Sequence, residues 1–149
     1  IEPDIVTYSS LIDCYSKKEN ISKVEEYYNL IKQNGIEQDI VTYNSLIDCY
    51  CNNNMMDKGE YYYNILVKNK LLNIKTIWNT IDVHGWNRWH LYFYLEQHKF
   101  KIKSKFSIIC GRGNNSEGDP ILKEVIIIFC KKYNIIYNMC NKGGKVIIE

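Results

Sequence analysis

Asp39-Ile40-Val41-Thr42-Tyr43-Asn44-Ser45-Leu46-Ile47-Asp48-Cys49-Tyr50 is the second appearance of one pattern in this chain. Residues Ile36 to Tyr50 repeat Ile1 to Tyr15 with only Gln38 for Pro3 and Asn44 for Ser9. An internal period of 35 residues marks a repeat architecture, because each unit must stack on its neighbour to bury its apolar face. Within the first unit, Ile5, Tyr8, Leu11, Ile12 and Tyr15 fall at helical spacing, and so do Ile21, Val24, Tyr28 and Ile31. Glu19 or Asn20 marks the break between these two helices, and Gly35 reads as the residue that ends the second. Met56, Gly59, Tyr63 and Leu66 continue the scheme in the second unit. Each unit is therefore expected to be a helical hairpin.

Thirty-five residues per hairpin, with Asp-Ile-Val-Thr-Tyr-x-Ser-Leu-Ile-Asp opening the first helix, resembles the pentatricopeptide repeat. The tetratricopeptide repeat is the alternative, but it is one residue shorter and its Trp-Leu-Gly-Tyr-Ala pattern is not found here. The resemblance implies two repeats, 5–39 and 40–74, within an α-helical solenoid spanning 1–74. It also implies single-stranded RNA as partner, read at about one base per repeat. By the same resemblance, Ser9 with Asp39 contacts one base edge, Asn44 with the last residue of its unit the next, and Val6 and Val41 sandwich the bases. That last residue is Ile74, where the family prefers Asp or Asn, and the favoured reading there is a structural cap with Ile74 packed onto the next domain. Further repeats are expected before Ile1, and the family points to an organelle, mitochondrion or plastid, although no targeting segment opens the chain.

Beyond residue 75 the pattern changes. Thr80-Ile81-Asp82-Val83-His84-Gly85 alternates and reads as a strand running into a glycine. Residues two apart on a strand share a face, so Asp82 and His84 are expected side by side as a general acid/base pair. A buried histidine held by an aspartate is the alternative. Phe106 to Cys110 reads as a second strand, followed by a glycine-rich loop from Gly111 to Gly118 and by Asp119-Pro120, the opening of a helix. Strand, glycine loop and helix N-terminus together form a phosphate cradle, and Arg112 adds a fixed positive charge. A helix over Arg88 to His98, a helix from Pro120 to Tyr133 and strands at Ile135–Met139 and Lys145–Ile148 complete a β-α-β-α-β-β order, with the first two strands parallel. Ligands of such sheets bind at the carboxyl ends of the strands, where both motifs fall. Leu71 to Asn79 reads as a short joint, and Lys99, Lys101, Lys103 and Lys105 as alternating charges in an extended segment.

Ile81-Asp82-Val83-His84-Gly85 with Cys110-Gly111-Arg112-Gly113-Asn114-Asn115-Ser116 resembles the Smr (small MutS-related) domain, over about 76–149. Cys110 stands at the family's threonine position, and Asn115 where many members carry histidine. The resemblance makes 75–149 a small α/β domain. Asp82 and His84 are its catalytic candidates, with Gly111, Arg112, Gly113 and Asn114 as nucleic-acid contacts. The two resemblances together imply an RNA-processing endonuclease directed by its repeats. A non-catalytic RNA-binding protein that protects transcripts or recruits factors is the alternative, and a DNA-nicking domain a third.

Charge agrees with a polyanionic ligand for the second half. Residues 1–78 carry 8 Lys/Arg against 11 Asp/Glu, whereas residues 79–149 carry 11 against 6. The six cysteines form no Cys-x-x-Cys pair and read as reduced structural thiols. Magnesium is compatible with the chemistry, but no ligand spacing calls for a cofactor. No apolar run reaches the length of a membrane span.

Overall fold

The computed structural model describes residues 1–102, 105–111, 119–140 and 144–149, which divide into a unit Ile1–Asn73 and a unit Ile74–Glu149. The first unit is two helical hairpins, α1 (Ile5–Lys17) with α2 (Ile21–Gln33) and α3 (Ile40–Asn52) with α4 (Met56–Lys68). Asp4, Asn20 and Asp39 cap the first three, each accepting the backbone N–H three residues on. Met55 precedes α4 without a side-chain cap. Glu19 and Asn54 turn the two hairpins at equivalent places in left-handed conformation (φ 54° and 60°), and Gly35 and Lys70 do the same after α2 and α4 (φ 64° and 55°).

The core of this unit holds Ile12, Val24, Ile31, Leu46, Ile47, Tyr63 and Leu66. Near-identical sequence does not give identical burial. Helix α3 buries eight residues, including Cys49 and Cys51, whereas α1 buries four and leaves Cys14 exposed. The reason is position: α3 packs against α1, α2 and α4, and α1 against α2 and α3. Asp39 ties the repeats together. Its Oδ1 accepts from the Thr42 backbone N–H (2.8 Å) and hydroxyl (2.7 Å), and the Ser9 hydroxyl of the preceding repeat lies 3.1 Å away. Replacing Asp39 by Ala is expected to cost about 1–2 kcal/mol, from the lost cap plus a buried Ser9 hydroxyl left with Thr42 alone. The exposed counterpart Asp4→Ala, which strands no buried hydroxyl, loses less. Urea midpoints of the two variants check the difference.

The second unit is an α/β sandwich. Its strands are β1 (Lys75–Ile77), β2 (Thr80–Asp82), β3 (Phe106–Ile109), β4 (Tyr137–Met139) and β5 (Lys145–Ile148), in sheet order β1-β2-β3-β5-β4. Only β2 and β3 pair in parallel, across helix α5 (Arg88–His98), as expected of a right-handed crossover. Helix α6 (Pro120–Lys132) follows β3 and packs on α5. Ile81, Ile108 and Val146 are fully buried in one row of the sheet, and α5 and α6 supply Leu91, Phe93, Leu95, Leu122, Ile126 and Phe129 to the core. Val125, also on α6, is half-buried.

Three sequence expectations need correction. The supposed joint contains β1, which pairs antiparallel with β2 through the two-residue turn Trp78-Asn79. No glycine announces this turn, because Trp78 itself takes the left-handed conformation (φ 56°). The strand expected to reach Gly85 ends at Asp82. The lysines do not alternate along an extended segment: Lys99 is in helical conformation at the end of α5 and Lys105 is left-handed at φ 67°. Lys103 lies outside the described residues.

Candidate active site

Val83 still donates its N–H to the Ile109 carbonyl at 2.9 Å, carrying the parallel ladder one residue past β2. There the chain turns. Trp86 N–H donates to the Val83 carbonyl at 3.0 Å, and Gly85 sits at φ 78°, the third-position conformation of a type II turn. Asp82 closes the corner by accepting the His84 backbone N–H (3.1 Å) and the His84 ring Nδ1 (2.6 Å) on the same Oδ1. The expected pair is therefore together, but through side-chain-to-backbone bonding and not through strand alternation. A carboxylate only accepts, so Nδ1 carries the proton toward Asp82 and the ring's lone pair is on Nε2. The His84 side chain is 39% exposed and that of Asp82 20%, open enough for a ligand to reach the ring.

The other two histidines are structural. His90 is buried in the first turn of α5, where it forms a capping box with Asn87, and burial pulls its pKa down to about 4. His98 donates Nδ1–H to the Tyr94 carbonyl at 2.8 Å and stacks on the Tyr94 ring.

Cys110 follows β3 and is buried in the core, and burial pushes its thiol up to about 11. The Lys123 ammonium opposes that shift, and the Asp119 and Asp82 carboxylates reinforce it. Asp119 N–H donates to the Cys110 carbonyl at 3.3 Å, which closes the neck of the segment between them. Gly111 is half-buried at that neck; Arg112, Gly113, Asn114, Asn115 and Ser116 lie outside the described residues.

Asp119 also accepts from the N–H groups of Ile121 (2.8 Å) and Leu122 (3.4 Å). Two of the donors that a phosphate was expected to meet at this helix end thus have a carboxylate already. Lys123, one turn into α6, is the cation sequence reading passed over; its place three residues after Pro120 in a capped first turn was the available signal. Lys75, Asp82, Ile109 and Lys145 form one row across four strands, which sets Asp82 on a sheet face between two lysines. Among the described residues no group of three or more His, Cys, Asp or Glu is placed to hold a metal ion.

In the first unit, Val6 and Val41 stand at equivalent helix positions and are 67% and 46% exposed. Ser9 is only 3% exposed and spends its hydroxyl on Asp39 and Thr42 (2.8 Å). Asn44 is half-buried, and so is Ile74. A model of the PPR repeat family matches residues 3–52, and a PPR repeat model matches 41–71. The first unit carries PPR repeats. These PPR repeats imply RNA binding. Neither match extends beyond Leu71, and no curated protein matches the chain.

Proposed function

We propose that the chain is an RNA-processing endonuclease in which the PPR repeats hold single-stranded RNA and an Smr-like second unit cleaves it. The observation that supports this most is the Asp82–His84 pair at the carboxyl end of β2, with Nδ1 fixed at 2.6 Å and the ring half-open to solvent. RNA supplies its own nucleophile. In this mechanism His84 Nε2 takes the proton of a 2′-OH, the 2′ oxygen bonds to the adjacent phosphorus, and the 5′ oxygen leaves and is protonated by solvent. Asp82 orients the ring and offsets the imidazolium charge, and Lys123, in the first turn of α6, is the cation assigned to the growing charge on the phosphate. Organellar placement goes with the family resemblance and belongs to the same proposal.

The test is incubation of the whole chain with a pool of randomised 20-nucleotide single-stranded RNA and with DNA of the same kind. The expected outcome is RNA fragments ending in 2′,3′-cyclic phosphate and intact DNA. Cut DNA moves the reading to a nicking domain.

The helix end capped by Asp119 favours a second reading, an RNA-binding protein that protects transcripts or recruits factors. RNA bound but uncut in the same tubes establishes it.

A further inference from the structure

Strands β2, β3 and β4 point the same way, because β2 and β3 are parallel and β5 runs against both β3 and β4. Their carboxyl ends carry the Asp82–His84 corner and Gly111. Their amino ends gather at the opposite end of the sheet, where the turn Trp78-Asn79, Lys105 and Ile136 lie. Helix α5 runs back toward that end and delivers Phe100 and Lys101 after its last turn. Ser107 N–H donates to the Asn79 carbonyl at 2.7 Å, which ties the start of β3 to the turn.

This end is unusual in three ways. Trp78 is 94% exposed, and Ile77, Phe100 and Ile136 are exposed as well. Trp78 and Lys105 are both non-glycine residues held left-handed, at φ 56° and 67°. A bulky side chain there is a strained choice where glycine is the relaxed one. Lys101 and Lys105 are exposed and make no ion pair among the described residues; Glu149, across from Lys105 after β5, is exposed as well and accepts from Asn138.

We propose that this end of the second unit is a stacking and phosphate-contact surface for single-stranded RNA. Trp78 and Phe100 offer flat faces to bases, and Lys101 and Lys105 offer charge to the backbone. The occupant follows from the chemistry: two lysines, in excess over the neighbouring Glu149 carboxylate and interleaved with exposed aromatic rings, complement a polyanion that carries its own rings. The inference rests on the reading that the PPR repeats bind RNA, since both contacts would then be made by one covalently linked chain. It lies outside the Asp82–His84 corner and needs no cleavage.

The test uses the whole chain and the same randomised 20-nucleotide RNA pool, with affinity measured across a salt series. Trp78→Gly suits the left-handed backbone and so keeps the fold; it is expected to bind about tenfold more weakly, the scale of one lost stack. Trp78→Phe is expected to stay near the parent chain. The double variant Lys101→Gln with Lys105→Gln is expected to lower the salt slope by about 1.4, two single-strand phosphates. Parental affinity in Trp78→Gly and a parental slope in the double variant overturn the inference and leave the PPR reading intact. No binding by the parent chain overturns both. If Trp78→Gly instead converts a sedimenting dimer to monomer with RNA affinity unchanged, the surface joins copies of the chain and the RNA contact is wrong.

Discussion

Replacing His84 by Ala is expected to slow RNA cleavage by about 10²–10⁴-fold and to leave RNA affinity where it was. The corner does not depend on the imidazole to hold its shape. Alanine keeps the backbone N–H that Asp82 accepts at 3.1 Å, and Gly85 still makes the turn. What disappears is the imidazole that the proposed mechanism uses to move the proton. Asp82→Asn is expected to lose less, because an amide oxygen still accepts the two N–H bonds but lacks the charge that balances an imidazolium. A merely structural histidine predicts the reverse, with folding and binding lost together. Cleavage and binding measured on the same folded sample separate the two, and parental cleavage in His84→Ala removes this corner from the chemistry.

Acid is expected to weaken the second unit through a different histidine. His90 has its pKa pulled by burial from about 6.5 to about 4. A base depressed in the folded state binds fewer protons there than in the unfolded chain. Its full contribution is thus present above pH 6.5 and is lost as pH falls toward 4. The span corresponds to about 3 kcal/mol at most. His90→Gln is the informative variant, since glutamine at this position keeps a capping-box partner for Asn87 and does not titrate. Unfolding followed through buried Trp86, whose ring meets His90 edge-on at 6.5 Å between centroids, is expected to show a steep acid limb in the parent chain and a flatter one in the variant. Equal limbs assign the acid sensitivity to other groups.

The helices were legible because their signal is redundant. A 35-residue period, helical apolar spacing and Asp or Asn caps all agree on α1 to α3, so each local cue confirms the next. The missed strand β1 has no such support, being three residues long and closed by a tryptophan where a turn signal would be glycine or asparagine. The Asp82–His84 pair was legible for a partly mistaken reason. Alternation along a strand and a carboxylate closing its own turn both bring residues i and i+2 together, so the pairing survived the early end of β2. Burial within the repeats was not legible, because Cys14 and Cys49 sit in the same words of sequence and differ only in how many helices surround them. Ser9 illustrates the same point: its hydroxyl reads as available, yet its neighbour in the next repeat consumes it. Lys123 was missed because a lysine in a helix is unremarkable until the helix has a place.

Gly35 and Lys70 are asked for one backbone shape by two equivalent helix ends, and each is followed by a residue that closes the end with a 3.0 Å bond, Ile36 to Ile31 and Leu71 to Leu66. Glycine adopts that shape without penalty, whereas lysine gives up about 1 kcal/mol. The final turn of α4 therefore opens several times more often than the final turn of α2. Amide protons there exchange sooner, and a protease searching for a loosened stretch finds its foothold at Lys70, where the chain leaves the first unit. One glycine exchanged for lysine makes the end of α4 the looser of these two equivalent helix ends.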